Sequence, residues 1–382
     1  MLGSQRALFD MPRDVCWLNA AAYGPLPLAS QQAGERGVAR KVRPWEMQPG
    51  SADHQMERAR TAAARLIHAD PNDVALISSV SYGIATAGRV LPTEPGTRVL
   101  LLKDDHTSPV LEWTVRAKAQ GLLLETIERP ANGDWTMAVL EAINQPSRPP
   151  VGIASISSVH WADGGTLDMA RIAPALRRHG AKLVVDATHH VGVMAIDVGE
   201  LDPDFLVFPT YKWVLGPYGR AFLYVAKRWQ DGTPIEQPSS SRRDINSESA
   251  PYMRDLRYVP NARRFDMGER DHFITLEMAS VGMELVAEWG CAAVTERLSA
   301  LTRRLADGLR NSGALCPDDD VRAPHILSLA FPSGMPTDLV ARLARENIFV
   351  SPRLGRMRIS PHVYNDEADI DRFIEVFRRL MN

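Results

Sequence analysis

At 382 residues, with 45% apolar and 24% charged residues, the chain is long enough for two sizeable cores and ordinary in composition for a globular protein. A net charge of −2 and a pI near 6.6 exclude the basic footprint of a nucleic-acid or anionic-membrane binder. Three scattered cysteines, Cys16, Cys291 and Cys316, exclude a disulfide scaffold or a cysteine zinc site, and no apolar run approaches transmembrane length. No basic segment leads into an apolar stretch at the start of the sequence, so a cytoplasmic enzyme is expected.

After an arm over 1–13, the stretch CWLNAAAYGPLPLAS gives a short apolar segment and a Gly/Pro turn. Ser51–His68 reads as a helix with Met56, Ala59, Ala63 and Leu66 on one face. Strands and helices then alternate. Strands are predicted at Val74–Ile77, Arg98–Lys103, Leu122–Ile127, Val151–Ile156, Lys182–Val185, Phe205–Phe208 and Ala221–Val225. Helices are predicted at Ser81–Val90, Val110–Gln120, Trp135–Asn144 and Leu167–Arg178. Such alternation implies an α/β fold whose mainly parallel sheet is covered by helices on both faces, in a large domain over 14–260. The polar stretch from Gln230 to about Arg263 predicts a long loop. A helical region from Ile274 to Asn311, broken near Gly290, followed by strand, helix, strand and a closing helix from Glu367, predicts a smaller α+β domain over 261–382.

Basic residues are mostly arginine, and only six lysines (41, 103, 118, 182, 212 and 227) compete for any role that needs an amine. Asp186 closes the apolar run KLVVD, and Lys212 follows another in DFLVFPTYKW. Both fall at carboxyl ends of strands, where α/β sheets bind ligands. An acid and a lysine so placed suit pyridoxal 5′-phosphate: its aldehyde needs an amine for a Schiff base, and its pyridine nitrogen needs a carboxylate to stay protonated. Taken singly, each has a plain alternative, a surface lysine or a helix-capping aspartate.

Around this pair, His189 is placed to hydrogen-bond the ring's phenolic oxygen or the phosphate. Ser79, Val80 and Ser81, between a strand and a helix start, offer amides, a helix dipole and a hydroxyl to a phosphate, or simply a helix cap. The adjacent residues of Asp104-Asp105-His106 do not converge on one ion, so no metal site is expected, and His106 is better used stacked over a flat ring. Arg358, in GRMRISPHVYN, offers a planar fork to a carboxylate; its neighbour Arg356 is expected to face the opposite side of the strand, so that only one of the two reaches the site. No Gly-x-Gly-x-x-Gly follows the early strands, which counts against a nicotinamide enzyme.

The string VVDATHHVGVMAIDVGELDPDFLVFPTYKWVLGPYGRAFLYV resembles the cofactor-binding core of class V aminotransferases, the fold-type-I pyridoxal-phosphate family of cysteine desulfurases, selenocysteine lyases, isopenicillin N epimerase and kynureninase. WLNAAAYGPLP, DDHTSPVLEW, ISSVHWADGGTLDMARI and MRISPHVYNDEADIDRFI resemble further segments of that family, in order, over most of the chain. The resemblance implies a mainly parallel seven-stranded sheet in the large domain and a homodimer with active sites at the subunit interface. It makes Lys212 the aldimine lysine, Asp186 the pyridinium partner and His106 the stacking residue. Ser81, Thr210 and Tyr211 match phosphate-contacting positions, with His189 beside the ring. Arg358 matches the substrate-carboxylate arginine, with Asn19 on the substrate side. Gly268 and Glu269 are implied to approach the neighbouring subunit's phosphate.

Two departures bear on the reaction. His160-Trp161 stands where desulfurases carry an asparagine near the ring oxygen, and IFVSPRLGRMR lacks the nucleophilic cysteine they carry before the C-terminal arginine. The expected activity is therefore transamination or cysteine-independent C–S or β-elimination on an amino acid. An epimerase, a kynureninase-like hydrolase and a catalytically silent binding protein of the same fold are the alternatives.

Overall fold

The computed structural model describes residues 2–246, 248 and 250–381; Met1, Ser247, Ser249 and Asn382, and with them the ends of the expected arm and of the expected second domain, lie outside the described residues. Strand β1 (Cys16–Trp17) and helices α1 (Leu28–Val42) and α2 (Ser51–Leu66) come first. The alternating region follows as β2 (Val74–Ile77), α3 (Val80–Val90), β3 (Arg98–Leu102), α4 (Thr107–Gln120), β4 (Leu123–Ile127), α5 (Trp135–Ile143), β5 (Val151–Ser157), α6 (Met169–Arg178), β6 (Lys182–Asp186), α7 (Val198–Leu201), β7 (Phe205–Pro209) and β8 (Ala221–Val225). A hairpin of β9 (Arg242–Ile245) and β10 (Met253–Tyr258) precedes α8 (Thr275–Trp289) and α9 (Cys291–Gly308). The chain ends through β11 (Leu327–Leu329), α10 (Leu339–Arg345), β12 (Ile348–Phe349), β13 (Ser351–Arg353), β14 (Arg356–Ile359) and α11 (Glu367–Met381).

Seven strands pair in the order β2-β8-β7-β6-β5-β3-β4. All run parallel except β8, which opposes both β2 and β7. Strand alternation divides each strand between two cores: Leu100 and Leu102 pack with α2, α5 and α6, while Val99 and Leu101 pack with α3 and α4. Burial on both faces explains the unbroken apolar runs. The side chains of Ser79, Asp134, Asp168 and Asp197 each accept a hydrogen bond from the first turn of α3, α5, α6 and α7. Each cap is worth about 1 kcal/mol and sets where the chain leaves its strand-end turn. Among the described residues, no helix is long and apolar enough to cross a membrane.

Three features differ from the sequence expectation. Helix α1 went unpredicted because its buried residues are Ser30, Ala33, Gly34 and Gly37, which form no large apolar stripe. The polar stretch expected as a loop contains the antiparallel β9–β10 hairpin, whose irregular register and exposed side chains mask any strand period. The division between cores also moves. Leu276, Ala279, Met283 and Val286 of α8 belong to the core of the large sheet, whereas Val294, Leu298 and Leu301 of α9 belong to the second. Within this helical region the change from one core to the other falls at Gly290, and Cys16, Leu18 and Ala20 near the start of the chain complete the second core.

The strand-to-helix turn at β2 is anchored by a buried ion pair. Arg60 of α2 grips Asp266 with both guanidinium nitrogens, at 3.0 and 2.8 Å, and Asp266 also accepts from the Leu76 amide at 2.8 Å and from Arg270 at 2.6 Å. Both partners are almost wholly out of solvent, at 0% and 1% side-chain exposure, so removing one takes the main counter-charge from the other.

Candidate active site

Strands β5, β6 and β7 end at Ser157, Asp186 and Pro209, and the turns after β2 and β3 lead directly into α3 and α4. These ends enclose a cavity of about 180 Å³ whose wall includes Ser79, Val80, Ser81, His106, Asp186, His189, Tyr211 and Lys212. Eight residues read from the sequence, far apart along the chain, are thus brought together.

Lys212 is buried, and its Nζ lies 3.2 Å from Nε2 of His189. Burial, reinforced by the charge of Arg358 and opposed by that of Asp186, brings its amine down to about 7. Burial also holds His189 well below its usual range, with Lys212 and Arg358 adding to the effect, so its ring is neutral. Trp213 Nε1 donates to His189 Nδ1 at 3.0 Å, which leaves the ring proton on Nε2, facing the lysine. The backbone around Lys212 is crowded: Gly24 donates its amide to the Tyr211 carbonyl at 2.9 Å, and a Cβ on Gly24 would lie 2.1 Å from the Lys212 carbonyl oxygen.

Asp186 pairs in register with Ser157 of β5 and accepts the Thr188 amide at 2.9 Å, which holds its carboxylate at the cavity. Beside it, Asp105 is buried and accepts from Ser157 Oγ at 2.8 Å and from the His106 amide at 2.7 Å. Burial raises the Asp105 carboxyl to about 6, against the pull of His160 and Ser157. His106 therefore starts α4 from a pinned position. Its ring meets Trp161 edge-on with centroids 5.8 Å apart, and burial keeps its pKa below the usual histidine value. Trp161 is tied in turn through Nε1 to the Asp104 carbonyl at 2.7 Å. Asp104 supplies that carbonyl from a left-handed conformation, φ 56°, which aspartate tolerates better than most residues.

Two helix N-termini, of α3 and α4, face the cavity, and Ser81 Oγ and Ser108 Oγ lie 3.0 Å apart between them. This is an anion cradle of the kind that backbone amides and helix dipoles make together. Ser79 serves as the α3 cap, accepting from the Tyr82 amide at 3.2 Å, and also lines the cavity. Thr210 is different. Its hydroxyl donates to the Pro217 carbonyl at 2.6 Å and lies close to that of Arg220, and it does not line the cavity. It shapes the turn after β7 instead of presenting a donor.

Arg358 is 1% exposed and donates Nη1 to the Trp161 carbonyl at 2.6 Å, while its Nε has no partner. Contrary to expectation, Arg356 shares the strand face of Arg358, because residues two apart on a strand point the same way. The charges acting on Arg356 are Arg129 and Asp163, whereas Arg358 acts on Lys212, and neither arginine lines the cavity itself. Asn19 arrives through its Oδ1, which accepts from Ser351 Oγ. Ser351 is the register partner of Arg358, so Asn19 joins the same corner. His160 turns away from the cavity: its ring stacks on Trp135 at 5.0 Å and its Nδ1 lies 3.0 Å from Asp163. The Gly268 amide donates to Glu236 at 2.6 Å, and neither Gly268 nor Glu269 lines this cavity.

Ser108, Ser157, Trp213 and Arg220 were missed by sequence reasoning, and of the His160-Trp161 pair it is Trp161 that lines the cavity. Arg220 is buried on the cavity wall and bonds Thr275 at the start of α8 through Nε at 2.7 Å. A signal existed for Ser108, since DDHTSP repeats the strand-then-serine pattern of ISSVS. For Trp213 none did, because an indole inside a loop reads as core.

A buried amine, a carboxylate beyond the neighbouring strand, a neutral imidazole and an amide-rich anion cradle form a donor set that fits pyridoxal phosphate. The class-V aminotransferase family profile matches residues 37–373. Isopenicillin N epimerase of Streptomyces clavuligerus is 26% identical over 378 residues, covering 95% of this chain and 94% of that protein. Kynureninase of Deinococcus radiodurans is 29% identical over 313 residues, covering 79% and 72%. The apo cysteine desulfurase structure from Thermococcus onnurineus NA1 superposes with a TM-score of 0.86 at 21% identity, covering 98% of this chain and 97% of that one, which establishes the fold. The chain belongs to the class-V aminotransferase family and is a pyridoxal-phosphate-dependent enzyme.

Proposed function

We propose that this enzyme acts on an α-amino acid, with Lys212 first holding the cofactor and then serving as the base at Cα. The observation that supports this best is the lysine itself: buried on the cavity wall, its amine is brought to about 7, so near neutral pH a large fraction is free to attack and to accept a proton. When bound, pyridoxal phosphate supplies an electron sink conjugated to Cα.

The remaining steps fall to the protein. Asp186 stands where it would hold the proton on the ring nitrogen. Ser79, Ser81, Ser108 and the amides of α3 and α4 would grip the phosphate. His106 would cover one ring face and exclude water from it. Arg358, with its unpartnered Nε, would orient the substrate carboxylate. Nζ of Lys212 would take the Cα proton and return it.

Transamination and cysteine-independent elimination are the outcomes this arrangement suits. A protein-thiol route is disfavoured because none of the three cysteines lines the cavity, and burial raises all three thiols. As part of the same reading, two copies pair so that the exposed rings of Tyr23 and Tyr218 at Tyr211 are covered, which light scattering would test.

The decisive experiment is borohydride reduction of the protein with pyridoxal phosphate, followed by peptide mapping. A phosphopyridoxyl mass on Lys212 is expected; no adduct, or one on another of the six lysines, sinks the proposal. A panel of amino acids then separates the outcomes. Keto acid without ammonia means transfer, keto acid with equivalent ammonia means elimination, and inverted optical rotation means epimerisation.

A further inference from the structure

The small sheet β11-β14-β13 has two unlike faces. Leu327, Met357 and Ile359 enter the second core at 0% exposure. By strand alternation and register, Ser351, Arg353 and Arg358 share the opposite face, with Ser351 directly across from Arg358. That face meets Trp161 on the cavity wall. The Trp161 carbonyl holds Arg358, and the Arg353 guanidinium carbon sits 5.6 Å from the centre of the Trp161 ring.

Neither arginine has a carboxylate within ion-pair reach among the described residues; their polar contacts are backbone carbonyls, Trp161 for Arg358 and Pro352 for Arg353. The Nε of each is buried without a partner. Burial holds both guanidiniums below their usual range, and each is among the charges that depress Lys212. Arg358 is buried and Arg353 is half-buried beside it; a cation drawn out of water with no counter-charge is costly unless a ligand supplies one. One α-carboxylate satisfies Arg358 and leaves Arg353 without a partner.

We infer that the substrate is an α-amino acid whose side chain ends in a second carboxylate, and that Arg353 receives it. This rests on the amino-acid reading of the site given above. Arg353 and Arg358 are diagonal neighbours across two strands, with backbones roughly 7–8 Å apart, so their forks suit the two ends of a short dicarboxylic amino acid. Trp161 touches both arginines, Arg358 through its carbonyl and Arg353 through its ring.

The test uses the cofactor-loaded enzyme, with dissociation constants read from the change in the visible band. L-aspartate and L-glutamate are compared with L-asparagine, L-glutamine and L-alanine. The acidic pair is expected to bind at least about tenfold tighter than their amides. R353Q is expected to remove that preference, and R353K to retain part of it. Equal affinity for acids and amides overturns the inference, as does an R353Q enzyme that weakens every amino acid by the same factor. A wild-type enzyme with no reducible adduct on Lys212 overturns the underlying reading and this one with it; a coloured enzyme without charge preference overturns this one alone.

Discussion

Trp213 and His189 are joined by a 3.0 Å hydrogen bond in which the indole N–H donates to imidazole Nδ1. An indole nitrogen can only donate, so the bond dictates which tautomer His189 adopts. Trp213 is itself immobile: its ring is stacked on His362 at 5.5 Å and met edge-on by His325 at 4.3 Å, and its carbonyl is 3.1 Å from His362 Nε2. The proton that faces Lys212 is therefore set from the opposite side of the ring. Trp213 acts as a positioning residue.

W213F keeps the packing and removes the donor. The expected result is a fall of about 10- to 100-fold in kcat with cofactor still bound. Nitrogen-15 chemical shifts of the His189 ring should change from a single Nε2–H tautomer to a mixture. Unchanged ring shifts would mean that the indole does not set the tautomer.

The pH dependence of cofactor capture tests the lowered amine. Lys212 attacks an aldehyde only as the free base, and its pKa is brought to about 7. The rate of adduct formation by cofactor-free protein should rise about tenfold per pH unit below that value and level off above it. A rate still climbing at pH 9 would show an ordinary lysine.

G24A should abolish cofactor capture without unfolding either core. Its new methyl would fall 2.1 Å from the Lys212 carbonyl oxygen, a backbone atom that cannot swing aside. Overpacking of this kind costs about 1–3 kcal/mol, and relief comes by displacing Lys212 from His189. Wild-type adduct yield in G24A would contradict this.

D266A leaves the fully buried Arg60 with only Glu57, 3.5 Å from its Nε, as counter-charge. A loss of about 3–5 kcal/mol in unfolding free energy is expected from urea titration. The double variant R60M/D266A should recover much of it. A single variant as stable as wild type would remove this ion pair from the account of the β2–α3 turn.

Apolar run and turn made the large sheet legible: predicted and observed strands agree to within a residue at their ends, because all but the edge strand β4 are buried on both faces. Asp186, Lys212 and His106 were legible because each follows directly on a strand. Helix α1 was not, since it packs on α8 through glycine and alanine rather than through large side chains. The helix break near Gly290 was legible, but not that the two helices it separates pack into different cores. Thr210 looked like a phosphate donor by position, but its hydroxyl has carbonyls closer at hand. The pairing of Trp213 with His189 depends on a rotamer and a loop, neither of which leaves a periodic trace.

The segment bearing Asn19 and Gly24 pairs with strands more than three hundred residues later: Cys16 with Ile348 and Asn19 with Ser360. A ribosome that has made the sheet, Asp186 and Lys212 has therefore not yet made the partner that seats Gly24 against the lysine loop. Loops of this span close slowly and late. Activity should accordingly appear only after the last forty residues have emerged, and a nascent chain stalled before Ile348 should hold a folded sheet with no working site.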